Sequence, residues 1–126
     1  MRLITIGGRN VPLFFSLWEM KQIQEEVGFI NEINEKLAKH VGSSEQIETL
    51  VKLIRILGNA GLEEAGQAAD LTDKWVGRRL TIGSILAMTE DIILCINDGM
   101  QMENDIAEAE DPDKAKDLGL EELRRK

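Results

Sequence analysis

The 126-residue chain carries 23 Asp and Glu against 15 Lys and Arg, a formal charge of −8. That balance argues against a nucleic-acid partner, since binding a phosphate backbone needs a positive face. With 43% hydrophobic and 30% charged residues the chain is a globular domain rather than a disordered one, and with 4% aromatics and no Tyr its core must be built from Ile, Leu, Val and Met, which suits packed helices better than a β-sandwich.

Arg2 to Ile6 alternates polar and apolar, with Leu3 out of phase, and Gly7-Gly8-Arg9-Asn10 supplies turn chemistry before a second extended run, Val11 to Phe15. Two short strands about a Gly-Gly turn predict a β-hairpin, with Pro12 confining the second strand to an edge or a late start. A lone hairpin is marginal in water, so it must rest on helices. Ser16 with Glu19 three residues on is a capping-box pattern. The helix it opens turns Leu17, Met20, Ile23 and Val27 inward and stops at Gly28. Ile30, Ile33, Leu37 and Val41 recur at helical steps in a second helical segment, broken at Gly42-Ser43-Ser44. Ser44 caps a third helix with Ile47, Leu50, Val51, Ile54 and Leu57 on one face, and Gly58-Asn59-Ala60-Gly61 is its stop. A short helical piece follows over 62–69. Thr72 caps another short helix bearing Trp75, Val76 and Leu80, and Thr81 or Ser84 opens the longest helix, to about Glu103.

On a helical wheel of that last segment Ile82, Ile85, Leu86, Ile93, Ile96 and Met100 share one face, and Ile92, Met88 and Cys95 extend it round one flank. Glu90, Asp91, Asp98 and Gln101 lie opposite, with Leu94 alone among them. The apolar arc is roughly 180° wide, where a surface helix needs only about 100°. Either the helix is central to the domain or part of its arc meets another chain. The expected fold is α+β, mainly α: an N-terminal β-hairpin on a compact bundle of four to five helices over 1–103, followed by an acidic, flexible tail over 104–126.

Candidate chemistry fails site by site. His40 is the only histidine, without the partner ligands that a metal site or a catalytic triad needs. The adjacent acidic pairs Glu25-Glu26, Glu63-Glu64, Glu90-Asp91 and Glu121-Glu122 point about 100° apart on a helix and do not converge as an acid–base couple. Asp111, Asp113 and Glu122 imitate an EF-hand loop, but Ala115 stands at a ligand position and Lys116 where Gly is required. Gly7-Gly8 precedes no phosphate-binding helix. Lys74, Arg78 and Arg79 fit an ordinary solvated edge. Cys95, the only cysteine, can form no disulfide within the chain, lacks a base at a recognisable spacing, and fits a small buried hydrophobe. No signal peptide or span of about 20 apolar residues is apparent. The reading is a non-enzymatic cytoplasmic protein with no cofactor, no metal, no small-molecule substrate and no membrane partner.

A protein-binding role rests on the last helix. Met88, Cys95 and Met102 repeat every seven residues on the flank of its stripe, beside Ile92, and Met suits adaptable binding surfaces as well as core gaps. Trp18 and Trp75 stand before the same choice between core anchor and interface. The expected partner-binding residues are Met88, Ile92, Cys95, Met102 and Trp75, with ordinary core filling as the competing reading.

The order of these pieces resembles the tail assembly chaperones of long-tailed bacteriophages and prophages. The likeness lies in the hairpin over 3–13 leading into a helix, in Leu50-Val51-Lys52-Leu53-Ile54-Arg55-Ile56-Leu57-Gly58-Asn59-Ala60-Gly61-Leu62, in Leu71-Thr72, and in the last helix with Asn97-Asp98-Gly99-Met100. It spans about 2–103 and is one of architecture, without a catalytic motif. The resemblance implies a protein that binds the hydrophobic tape-measure protein, and in some cases the tail-tube protein, keeping the former soluble during tube assembly. It also implies possible self-association, a longer frameshifted product in many members, and absence from the mature virion. Other small phage proteins, such as a head–tail connector or completion component, and a small protein-binding regulator are the alternatives.

Overall fold

Two glycines decide how the chain starts. Gly7 and Gly8 have φ of 57° and 79°, the pair of left-handed conformations that a two-residue hairpin turn requires. The computed structural model, which describes residues 2–38 and 40–100 in full and 101–110 as helical backbone, places them between antiparallel strands β1 (Arg2–Ile6) and β2 (Arg9–Leu13). Arg9 and Asn10, expected in the turn, instead open β2 opposite Ile6 and Thr5, and Pro12 faces Leu3. A two-stranded sheet has only edge strands, where the missing N–H of proline is tolerated.

Helices α1 (Leu17–Glu26), α2 (Ile30–Leu37), α3 (Ser44–Glu64) and α4 (Asp73–Arg79), a 3₁₀ turn (Ile82–Ser84) and α5 (Ile85–Glu110) follow. The fold is α+β and mainly α, as expected. The structure divides into two units after Ile96, and the packing described below belongs to the first, 1–96.

Helix α3 is the centre. Leu50, Leu53, Ile54, Ile56, Leu57 and Leu62 are buried along it, and it does not stop at Gly58. The stretch Gly58-Asn59-Ala60-Gly61, expected as its stop, forms instead a close-packed seam under the hairpin. A Cβ on Gly61 would lie 1.9 Å from the Pro12 carbonyl oxygen, and one on Gly58 2.6 Å from a Leu71 methyl. The Phe14 amide donates to the Leu57 carbonyl (3.1 Å), so β2 runs out directly onto the helix. Asn59 spans to the chain beyond: its Nδ2 donates to the Leu71 carbonyl (3.1 Å) and its Oδ1 accepts from the Leu71 amide (2.9 Å). The helix ends where Gly66 takes φ 74° and the Gln67 amide closes back on the Leu62 carbonyl (2.8 Å). The helical piece expected over 62–69 is thus the last turn of α3 and the loop after it.

Other local expectations need correction. Ser43, not Ser44, caps α3, accepting from the Gln46 amide (3.2 Å). Buried Gln46 then fastens the α2–α3 loop by donating to the Leu37 carbonyl (2.9 Å) and accepting from the Gly42 amide (2.8 Å). Ser16 precedes α1, but its hydroxyl donates to the Glu19 carboxylate and caps no amide. Leu17 in the first turn of α1, Val41 in the α2–α3 loop, and Ile47 near the start of α3 are exposed, while Ile23, Ile33 and Leu37 are buried as expected. Thr72 does cap α4, accepting from the Trp75 amide (3.1 Å). Thr81 and Ser84 close a reciprocal capping box on the 3₁₀ turn. Helix α5 continues past Glu103 to Glu110. The rest of the tail expected over 104–126, with its EF-hand-like run, lies outside the described residues.

Candidate functional site

The core takes from α5 the side chains of Ile85, Ile92, Cys95 and Ile96, with Met88 and Ile93 partly buried against it. Arg2 on β1 adds an ion pair to Asp91 on α5 (3.8 Å). These contacts fix the rotation of the helix about its axis, and that rotation turns another set of apolar residues outward. Leu86 is 83% exposed, Ile82 70% and Leu94 36%. Leu86, Thr89, Glu90, Ile93 and Leu94 line one shallow, open and mostly apolar depression, at the i, i+3, i+4, i+7 and i+8 positions of one helical face. The strip continues past Ile82 toward the α2–α3 loop. There the Ile82 Cδ1 comes within 3.8 Å of where a Cβ on Gly42 would sit, next to exposed Val41.

This is the opposite flank from the one expected to bind a partner. Ile92 is fully buried, Cys95 is 6% exposed, and Met88 packs against the core, so all three fill the interior of this chain. Core filling is the role the structure gives that flank. The Met102 side chain lies outside the described residues. The wheel marked Leu86 and Ile93 as apolar, but an arc of roughly 180° does not say which half is turned inward. The partners of α5 in the fold supply that.

Trp75 stands elsewhere, on α4. The Arg79 guanidinium lies over its ring at 4.3 Å and that of Arg9 at 5.8 Å. Arg9 also pairs with Asp70 (3.0 Å). Half-buried Trp75 therefore joins the start of β2 to α4 through cation–π contacts. Trp18 is exposed on α1, with Lys21 5.0 Å from its ring centroid.

Arg55 is the main electrostatic junction. Its Nε donates to Asp73 (2.5 Å), its guanidinium pairs with Glu26, and Lys52 adds a pair to Asp73 (3.7 Å), tying α3 to α1 and α4. Burial alone lowers the pKa of the Arg55 guanidinium, but the hydrogen bonds and charges of Asp73 and Glu26 outweigh it and hold the group above its ordinary value. His40 is exposed in the α2–α3 loop. Among the described residues no three His, Cys, Asp or Glu side chains gather as a metal site, and no single helix is long and apolar enough to cross a membrane.

No family model, curated protein or solved structure matches the chain.

Proposed function

We propose that this chain acts by binding another protein, as a phage tail assembly chaperone that holds the tape-measure protein in soluble form in the host cytoplasm while tail-tube subunits assemble. The observation that supports this reading is the exposed apolar strip of α5, centred on Leu86. A holdase needs apolar surface to engage a client and net charge to keep the complex dispersed. The strip offers the first and the charge of −8 the second. The reading involves no catalysis, cofactor or nucleic acid, and the protein leaves before the virion is complete.

Co-expression with a tape-measure protein of a long-tailed phage, taken from the genome that encodes this chain, tests the reading. The client should move from the pellet to the soluble fraction and co-purify with the chain. Leu86→Lys should return it to the pellet while the variant itself stays soluble. A client that remains insoluble with the native chain, or a chain found in stoichiometric amount in purified virions, would refute the proposal.

A further inference from the structure

Arg79 is held in place without a carboxylate. Its Cδ packs on the hairpin turn, where a Cβ on Gly7 would lie 2.6 Å away. Its guanidinium lies over the Trp75 ring at 4.3 Å and donates from Nη1 to the Trp75 carbonyl (3.1 Å). A guanidinium has five N–H donors, and among the described residues no carboxylate takes any of the others. The residue is nonetheless exposed. Lys74 and Arg78, one helical turn apart on α4, are exposed too, and among the described residues their side chains make no ion pair or hydrogen bond. The carboxylates nearest in sequence are engaged elsewhere, Asp70 with Arg9 and Asp73 with Arg55 and Lys52. Like charges at i,i+4 repel, and Lys74 stands in the first turn, where the helix dipole disfavours a cation. In a chain with 23 acidic against 15 basic residues, these cations are unmatched by their own surroundings. A solvated edge accounts for Lys74 and Arg78, and the indole contact accounts for one face of Arg79, but neither uses the outer edge of a guanidinium already fixed in position.

We infer that α4 receives an acidic peptide segment of a partner protein: Arg79 takes a carboxylate, and Lys74 and Arg78 take its neighbours. The planar fork of Arg79 matches a carboxylate through two parallel N–H···O bonds. Because its side chain is ordered by Gly7 and Trp75 before binding, little further freedom is lost. Nucleic acid fits less well. The Trp75 ring, on which a base would stack, already carries the guanidinium groups of Arg79 and Arg9, and the charge of −8 repels a long polyanion. The site is independent of what the α5 strip binds.

The test uses the full chain and three short labelled peptides that differ only in a central run of Glu, Gln or Lys, with a single-stranded DNA oligonucleotide of the same charge as the Glu peptide. Binding is read by fluorescence anisotropy at low and at raised salt. Only the Glu peptide should bind, with an affinity that falls as salt rises. Arg79→Lys, which keeps the charge and removes the fork, should weaken it about fivefold or more. The double variant Lys74→Gln/Arg78→Gln should weaken it by a similar factor, and its circular dichroism should match the native chain, since neither side chain holds another. Lys21→Gln, which removes one positive charge from exposed α1, should leave binding unchanged. No binding of the Glu peptide at low salt overturns the inference. An equal loss in Lys21→Gln and in the α4 variants overturns it in favour of diffuse attraction. Tighter, Arg79-dependent binding of the oligonucleotide overturns it in favour of nucleic acid. Arg79-dependent self-association in sedimentation, with no peptide bound, overturns it in favour of a second copy of this chain.

Discussion

Gly61 shows how much can depend on a missing side chain. In isolation a helical glycine costs about 1 kcal/mol relative to alanine, so Gly61→Ala ought to help α3. The Pro12 carbonyl, 1.9 Å from the added Cβ, is backbone of the strand that lies on the helix and cannot swing away. Gly61→Ala is expected to lower stability by about 2–4 kcal/mol in urea unfolding. Gly58→Ala should cost less, because the Leu71 methyl it meets at 2.6 Å belongs to a side chain that can rotate. A Gly58→Ala protein less stable than Gly61→Ala would refute this account of the seam. Asn59 is the polar member of the same stretch. Replacing it with Ala strands the amide and carbonyl of Leu71, and a loss of about 1–3 kcal/mol should follow in the same assay. A variant as stable as the native chain would mean that water replaces both bonds.

At the scale of the element, α5 carries two faces with opposite consequences. Ile92, with no exposed surface, should cost about 2–5 kcal/mol when cut to Ala, from lost transfer energy and the cavity left behind. Leu86 on the other face should change stability by no more than about 0.5 kcal/mol when made Ala. Thermal melts of the two variants check the rotation of the helix directly, and a reversed order would mean that the strip is core. Arg55 works between elements, and Arg55→Ala should release α1 and α4 from α3 at a cost of about 1–2 kcal/mol, its pairs being partly solvated. The pKa of Arg55 is raised on folding. Its contribution is therefore fully present below the unfolded value and is lost only in strong alkali.

For the whole molecule the decisive quantity is charge. A body at −8 with an exposed apolar strip is kept dispersed by repulsion. That protection should vanish near the isoelectric point of about 4.7, where turbidity should rise steeply. Leu86→Lys should reduce the turbidity at that point by removing apolar contact surface, and an unchanged profile would mean that other exposed residues, such as Trp18 or Phe29, drive association.

What was legible in the sequence follows from local rules. The Gly7-Gly8 turn, the Thr72 cap, the helical periods of α1 to α4 and the mainly helical α+β class are set by residues within a few positions of each other. Where local signals competed, they misled: Gly58 and Gly61 read as a stop because their tertiary reasons, the Leu71 and Val11 side chains for Gly58 and the Pro12 backbone of β2 for Gly61, lie far from them in sequence. The same limit governs the candidate site. The sequence by itself determined that the last helix has more apolar surface than one side of a helix needs, and that the stretch beyond Arg79 is uniformly acidic as far as Lys114. Only the tertiary structure decided which half of that surface is buried. The packing of Ile85, Ile92, Cys95 and Ile96 into the core, with Arg2 holding Asp91, turns the helix about its own axis, and helical periodicity contains no information about that angle.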